Sequence, residues 1–234
     1  MKMNHVHHMR KSPKGFSLVE LLVVIAIIAG LAAMSYGPIM KQIQEGKKLE
    51  AINSGKNIHT ALLSYAKDND GLFPSEDTAR NSEDGSSAEG CFTMLINSGK
   101  IEDEKIFWNV QNNVTGATKA AQPDLNGEVE SGENAWGYVS GLSSSSRTNV
   151  PLIFDSSVSV GEFDTAVWNG LAIIVKADGS ASAMRINYGD GKPLNDDGSS
   201  KTGPIEETRG GTDVDLFSDT NLPNGAEVLV PSGS

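Results

Sequence analysis

Glu20 is the side chain in this sequence whose setting most demands a chemical explanation. It follows a basic segment with Lys2, Arg10, Lys11 and Lys14 and no acid, and it heads a run from Leu21 to Met40 without a charged residue. A carboxylate in an apolar segment costs a few kcal/mol unless a partner meets it, so such acids usually mark a site. Such an acid needs a partner, because a lone charge in a low dielectric is costly. Other reactive side chains do not assemble. His5, His7 and His8 crowd the N-terminus, His59 stands alone, and the single cysteine, Cys91, has no histidine near it in sequence. No set of nucleophile, base and acid emerges and no phosphate loop is present, so catalysis is not expected. One cysteine allows no intrachain disulfide. Cys91 reads as buried and inert, with an intermolecular bridge as the alternative.

The element that must carry Glu20 is a helix. At about 1.5 Å per residue, a helix of about 20 residues crosses the roughly 30 Å core of a bilayer. Residues 16–38 form such a transmembrane half, and 1–15 precede it as a basic leader. The histidines of the leader read as leader residues rather than as a metal tract. Met9 is a second candidate start, since Met9 to Gly15 alone makes a compact basic leader; a precursor mass beginning at Met1 would exclude it. Gly30, Ala32 and Ala33 would let helix backbones approach closely. Gly37 and Pro38 predict a kink or local melting, because proline removes a donor and crowds the preceding turn. The apolar run does not end in the small-residue cleavage site of a secretory signal; the sharp junction is Gly15-Phe16, in front of it.

Gly15-Phe16-Ser17-Leu18-Val19-Glu20-Leu21-Leu22 resembles the head of the type IV pilin and type II secretion pseudopilin family. There a basic leader ends in Gly, Phe follows, and Glu is the fifth mature residue. The resemblance implies prepilin-type processing: a prepilin peptidase cuts after Gly15 and methylates the new amine of Phe16. It also implies that Glu20 pairs with the Phe16 amine of a neighbouring subunit during assembly. A plain signal anchor with a stray acid is the alternative reading.

Residues 39–70 read as the amphipathic half of the same helix. Ile39, Ile43, Ile52, Ile58, Leu62 and Tyr65 form one stripe, with Ala51, Ala61 and Ala66 beside it, and predict packing on a sheet. His59 beside the stripe reads as a boundary residue. Asp68-Asn69-Asp70-Gly71 and then Pro74 stop the helix. The stretch from Tyr65 through Asp/Asn and Gly to Phe73-Pro74 is similar to the major pseudopilin (G-like) branch of the family.

Residues 71–234 read as a globular domain with an extended tail. A polar loop is predicted over 75–90, a short helix over 91–98, and core or a short strand around Ile106, Phe107 and Trp108. A further polar loop covers 111–134. Strands are predicted at Trp136–Val139, at Val150–Phe154 and on both sides of Asp178-Gly179, a favoured two-residue hairpin turn. In relatives a His often precedes such a hairpin; Trp168-Asn169-Gly170 stands in its place here, so no role is carried over. Beyond Asn187 the chain is polar and should lie extended across the sheet. Asp190, Asn195, Asp196 and Asp197 form one acidic cluster, and Asp213, Asp215 and Asp219 another. Family pseudopilins can hold Ca²⁺ in a C-terminal loop. Neither cluster has the spacing of an Asp-x-Asp-x-Asp-Gly calcium loop, and a solvated acidic loop is the plainer reading. No other cofactor is expected.

The fold expected is therefore α+β, a pilin fold with a long N-terminal helix on a small antiparallel sheet and a loop-rich C-terminal region. The net charge of −11, from 19 basic and 30 acidic residues, argues against direct contact with nucleic acid. The resemblance implies a single-pass protein of the bacterial inner membrane with its domain in the periplasm. Its partners would be the membrane, the prepilin peptidase, an inner-membrane assembly platform, other minor pilins or pseudopilins, and copies of itself in a filament. The function implied is that of a type II secretion pseudopilus subunit. A type IV pilus subunit serving adhesion, motility or DNA uptake is the alternative, and a non-polymerising anchored domain the third.

Overall fold

The computed structural model describes residues 16–80, 83–108, 123–155, 157–159, 162–165, 167–186, 205–207, 213–215, 217 and 222–232. The chain divides into two units, Met1–Gln44 and Glu45–Ser234. Helix α1, Leu18–Asp68, is 51 residues long and begins in the first and ends in the second.

Helical turns continue on both sides of Pro38, so the local melting expected at Gly37-Pro38 does not occur. A proline removes one amide donor, and in a helix of this length the flanking turns hold the backbone across that single loss. The stop lies where Asp68-Asn69-Asp70-Gly71 predicts it. Asp70 takes a left-handed conformation (φ 53°), and the Gly71 amide reaches back to the Ala66 carbonyl at 2.8 Å. That six-residue closure is the Schellman way of satisfying the last helical carbonyls.

In the second unit the buried stripe of α1 starts at Ala51 and includes Ile58, Leu62, Tyr65 and Ala66, whereas Ile39 and Ile43 of the first unit are exposed. The stripe packs on a five-stranded antiparallel sheet in the order β6-β5-β2-β1-β9. Its strands are β1 (Trp136–Ser140), β2 (Pro151–Asp155), β5 (Leu171–Lys176), β6 (Ala181–Arg185) and β9 (Glu227–Leu229). The described residues also hold two short ribbons, β3 (Ser157–Ser159) with β4 (Glu162–Phe163), and β7 (Ile205–Glu207) with β8 (Asp213–Asp215). Gly55 marks the closest approach of helix to sheet. A Cβ there would stand 2.8 Å from Val175 and 3.0 Å from the Trp136 ring, so only glycine fits without displacement.

Strands β1 and β2 are buried at every position, because both sheet faces are covered. On the helix side Tyr138 meets Phe92, which stacks on Phe107 with ring centroids 4.6 Å apart. Side chains alternate along a strand, and Phe154 lies on the opposite side, over Gly137. There its ring meets Phe163 and Phe217 edge-on at 6.2 and 4.9 Å.

Several expectations need correction. The short helix, α2, runs over Ala88–Asn97 rather than 91–98, capped by Ser87, whose hydroxyl accepts the Gly90 amide. The stretch 75–90 is not merely a surface loop: Ser75 and Thr78 are buried, and the Thr78 hydroxyl accepts the Ser75 amide at 2.9 Å. Of the core or short strand expected around Ile106, Phe107 and Trp108, the core is there, with Phe107 fully buried, and the backbone is a 3₁₀ turn, Glu104–Phe107, which Asp103 caps through the Lys105 amide. The hairpin loop holds three residues, Ala177–Gly179, not two. The Gly179 amide closes a β-turn onto the Lys176 carbonyl, and the Lys176 amide bonds to Ser180; this is the three-residue hairpin with glycine in the left-handed position. The tail does not simply lie across the sheet, since β9 pairs with β1 and forms its outer edge.

Cys91 is fully buried, as expected, with its sulfur facing the Pro74 and Gly85 carbonyls. Burial, aided by Asp84, Glu89 and Glu76, pushes its thiol up to about 12.

Candidate functional site: the head of the long helix

The candidate site is the start of α1. Phe16 is 83 % exposed and Leu18 and Val19 are exposed beside it; Gly15, the other half of the expected processing junction, lies outside the described residues. The helix opens because Ser17 supplies a carbonyl that accepts the Leu21 amide at 3.2 Å. Glu20 Oε2 in turn accepts the Ser17 amide at 2.9 Å. Ser17-Leu18-Val19-Glu20 is thus one half of a capping box, in which the acid at the third helical position reaches back to the cap. The sequence held that signal, an S-x-x-E pattern before an apolar run, and the reading of Glu20 as an ion-pairing group passed over it. The carboxylate also sits where the helix dipole favours negative charge. Within one chain, then, Glu20 already has a donor.

Behind the head runs an apolar surface of unusual extent. An 18-residue window of α1 has mean hydropathy 2.5 and none of it is buried. Valines, isoleucines and leucines from Leu18 to Leu31 stand at 46 % exposure or more. Surface of that kind is not left to water; lipid or other apolar helices must cover it. Gly30 has open space around it, as a point of close backbone approach requires. Ser35 returns its hydroxyl to the Leu31 carbonyl at 2.8 Å and so carries no unsatisfied polar group on this surface.

The acidic clusters of the tail are not brought into view. Asp190, Asn195, Asp196, Asp197 and Asp219 lie outside the described residues, and Asp213 and Asp215 contribute the backbone of β8. His59, read as a boundary residue, is buried instead at 6 % exposure; its Nε2 lies 2.9 Å from the Ala177 carbonyl.

A helix long and apolar enough to cross a membrane, headed by an exposed Phe and a capping Glu, fits a membrane anchor of pilin-like type. Residues 10–36 match the family model described as the prokaryotic N-terminal methylation motif. The match takes in the basic end of the leader, the Gly15-Phe16 junction, Glu20 and most of the apolar run, and it supports a type IV pilin-like chain processed by a prepilin peptidase. No curated protein and no solved structure matches the chain.

Proposed function

We propose that this chain is a structural subunit of a type II secretion pseudopilus, a periplasmic filament that aids protein export. A prepilin peptidase cuts between Gly15 and Phe16 and methylates the new amine. The subunit then waits in the inner membrane by residues 16–38, with its acidic domain in the periplasm. On assembly Glu20 pairs with the Phe16 amine of a neighbouring subunit, which fixes the axial register. Each charge stabilises the other in a medium where neither is solvated. Apolar helices of other subunits then replace lipid around the bare face of α1. Energy for extraction comes from a separate machine.

The observation that carries this reading is the pairing of a processed-type head with an apolar helix face that its own chain leaves wholly uncovered. The Tyr65–Pro74 segment supports the pseudopilus branch. In the structure it is a built junction, with Phe73 buried and the Tyr138 hydroxyl donating to the Pro74 carbonyl at 2.8 Å. Ca²⁺ binding by the tail acids, Asp190, Asp196, Asp197, Asp213, Asp215 and Asp219, is a separate proposal; if Ca²⁺ binds equally well after their replacement by Asn, it fails.

Mass spectrometry of the N-terminal peptide from membrane fractions tests the function. The expected chain begins at N-methylated Phe16. A chain still carrying Lys14-Gly15, in cells with an active prepilin peptidase, overturns the reading in favour of a non-polymerising anchor. Filaments reaching the cell surface, with secretion intact in a deletion strain, would assign the subunit to a type IV pilus instead.

A further inference from the structure

Three carboxylates that are scattered in sequence meet in one place. Glu104 opens the 3₁₀ turn, and Asp124 and Glu133 bracket the loop that follows. One carboxylate oxygen from each lies within 4.8 Å of the other two. Glu104 is 4 % exposed, Glu133 half-buried and Asp124 exposed.

Three negative charges so placed repel one another, and their oxygens are poorly satisfied by the protein. Glu104 Oε1 accepts the Gly127 amide and Asp124 Oδ1 the Asn126 amide. Glu104 Oε2 and Glu133 Oε2 are both buried and, among the described residues, meet no donor. A buried carboxylate oxygen without a donor is among the costlier defects a fold can carry. Burial is the largest influence on the Glu133 carboxyl and raises it above the usual range; backbone bonds at Glu130 and Asp124 oppose this, and the charges of Asp124 and Glu130 add to it.

A cation removes both defects at once. Calcium bonds oxygen at about 2.3–2.6 Å, so two of its ligands on opposite sides stand about 4.6–5.2 Å apart. The three oxygens lie within 4.8 Å of one another, no further apart than two ligands of one calcium ion can stand. All the donors are hard oxygens, which suits calcium and not the softer transition metals. We propose that Glu104, Asp124 and Glu133 form a Ca²⁺ site that ties the 124–133 loop to the 3₁₀ turn. This loop carries the core residue Val129, whose amide donates to the Thr93 hydroxyl of α2 at 2.9 Å. The Gly132 amide bonds to Ser232 beyond β9 at 2.9 Å. Occupancy therefore holds the loop against both α2 and the last strand.

The test is thermal unfolding and calorimetric titration of the full chain in detergent micelles, with Ca²⁺ against chelator. Ca²⁺ at ten times its Kd should raise Tm by roughly 3–6 °C. Glu133→Gln and Asp124→Asn should each weaken Ca²⁺ binding at least tenfold. In chelator they should melt at or above the parent, because each removes a repelling charge. Asp196→Asn combined with Asp197→Asn should leave binding at this trio unchanged. Absence of Ca²⁺ binding overturns the proposal, and so does binding that survives Glu133→Gln but is lost in the tail variant. Variants that melt below the parent in chelator would also overturn it, since the carboxylates would then be structural without the ion.

Discussion

His59 Nε2 donates to the carbonyl oxygen of Ala177 at 2.9 Å, so a side chain of α1 fastens the β5–β6 hairpin from beneath. A carbonyl can only accept, which places the ring proton on Nε2. The same ring fills the space under Gly179. A Cβ on that residue would lie 2.9 Å from His59 Cε1, and its φ of +80° is one that other residues rarely adopt.

Gly179→Ala is therefore expected to destabilise the domain by about 1–3 kcal/mol, from backbone strain together with the clash. Denaturant unfolding of the full chain in micelles measures it. In a His59→Ala background the clash disappears and the strain stays, so the second cost should be smaller. Equal costs in the two backgrounds would mean that the ring and the turn do not touch.

Asp155 closes β2 with no solvent exposure. Its Oδ1 accepts the Ile173 amide at 2.8 Å, and Oδ2 accepts the Trp168 indole N–H. Asp155→Ala leaves both donors buried without an acceptor and should cost about 3 kcal/mol. Unfolding midpoints, with Trp168 fluorescence as the probe, read the loss. A change below about 1 kcal/mol would show that the carboxylate is replaceable there.

Asp84 predicts a pH dependence. The hydroxyls of Ser87 and Ser86, then the Ser86 amide, hold its carboxyl below the ordinary 3.8, against a small effect of burial. A carboxylate depressed in the fold contributes stability above its unfolded value and loses it as pH falls through the folded one. The Tm gap between the parent and Asp84→Asn should be full at pH 6 and shrink below about pH 4. A gap that widens on acidification would reverse the sign of this contribution.

Glu20 separates two roles by a single atom. Glu20→Gln keeps an oxygen for the Ser17 amide but loses the charge, whereas Glu20→Ala loses both. If pairing with the Phe16 amine drives assembly, both variants should fail to form filaments, measured by crosslinking of membrane fractions. If the cap alone matters, Gln should assemble and Ala should show only the loss of about 1 kcal/mol that a missing cap costs.

The sequence makes some of this legible and hides the rest for physical reasons. The stop of α1 is written in Asp68-Asn69-Asp70-Gly71, because turn residues declare their backbone locally. The strands at 136–140, 151–155 and 171–176 show as short apolar runs for the same local reason. His59 does not, since its partner lies 118 residues away and a lone histidine at the rim of a stripe says nothing about what crosses above it. Asp155 looks like an ordinary strand end until Trp168 returns to meet it. The carboxylate trio is hidden likewise, since Glu104 and the loop acids are brought together only by the tertiary fold. At the candidate site the head motif is local and readable, while the bond from Ser17 to Glu20 shows that one residue carries two readings.

Strand β9 pairs with β1 through Tyr138 and Leu229, Val139 and Val228, and Ser140 and Glu227. Until residue 229 has been made and delivered to the same compartment as β1, the amides and carbonyls along that edge of the sheet face no partner. An open edge invites pairing with another chain. The interval between emergence of β1 and arrival of β9 is a window for strand exchange between copies. The late strand acts as a clasp, shutting this edge of the sheet only once residue 229 is in place.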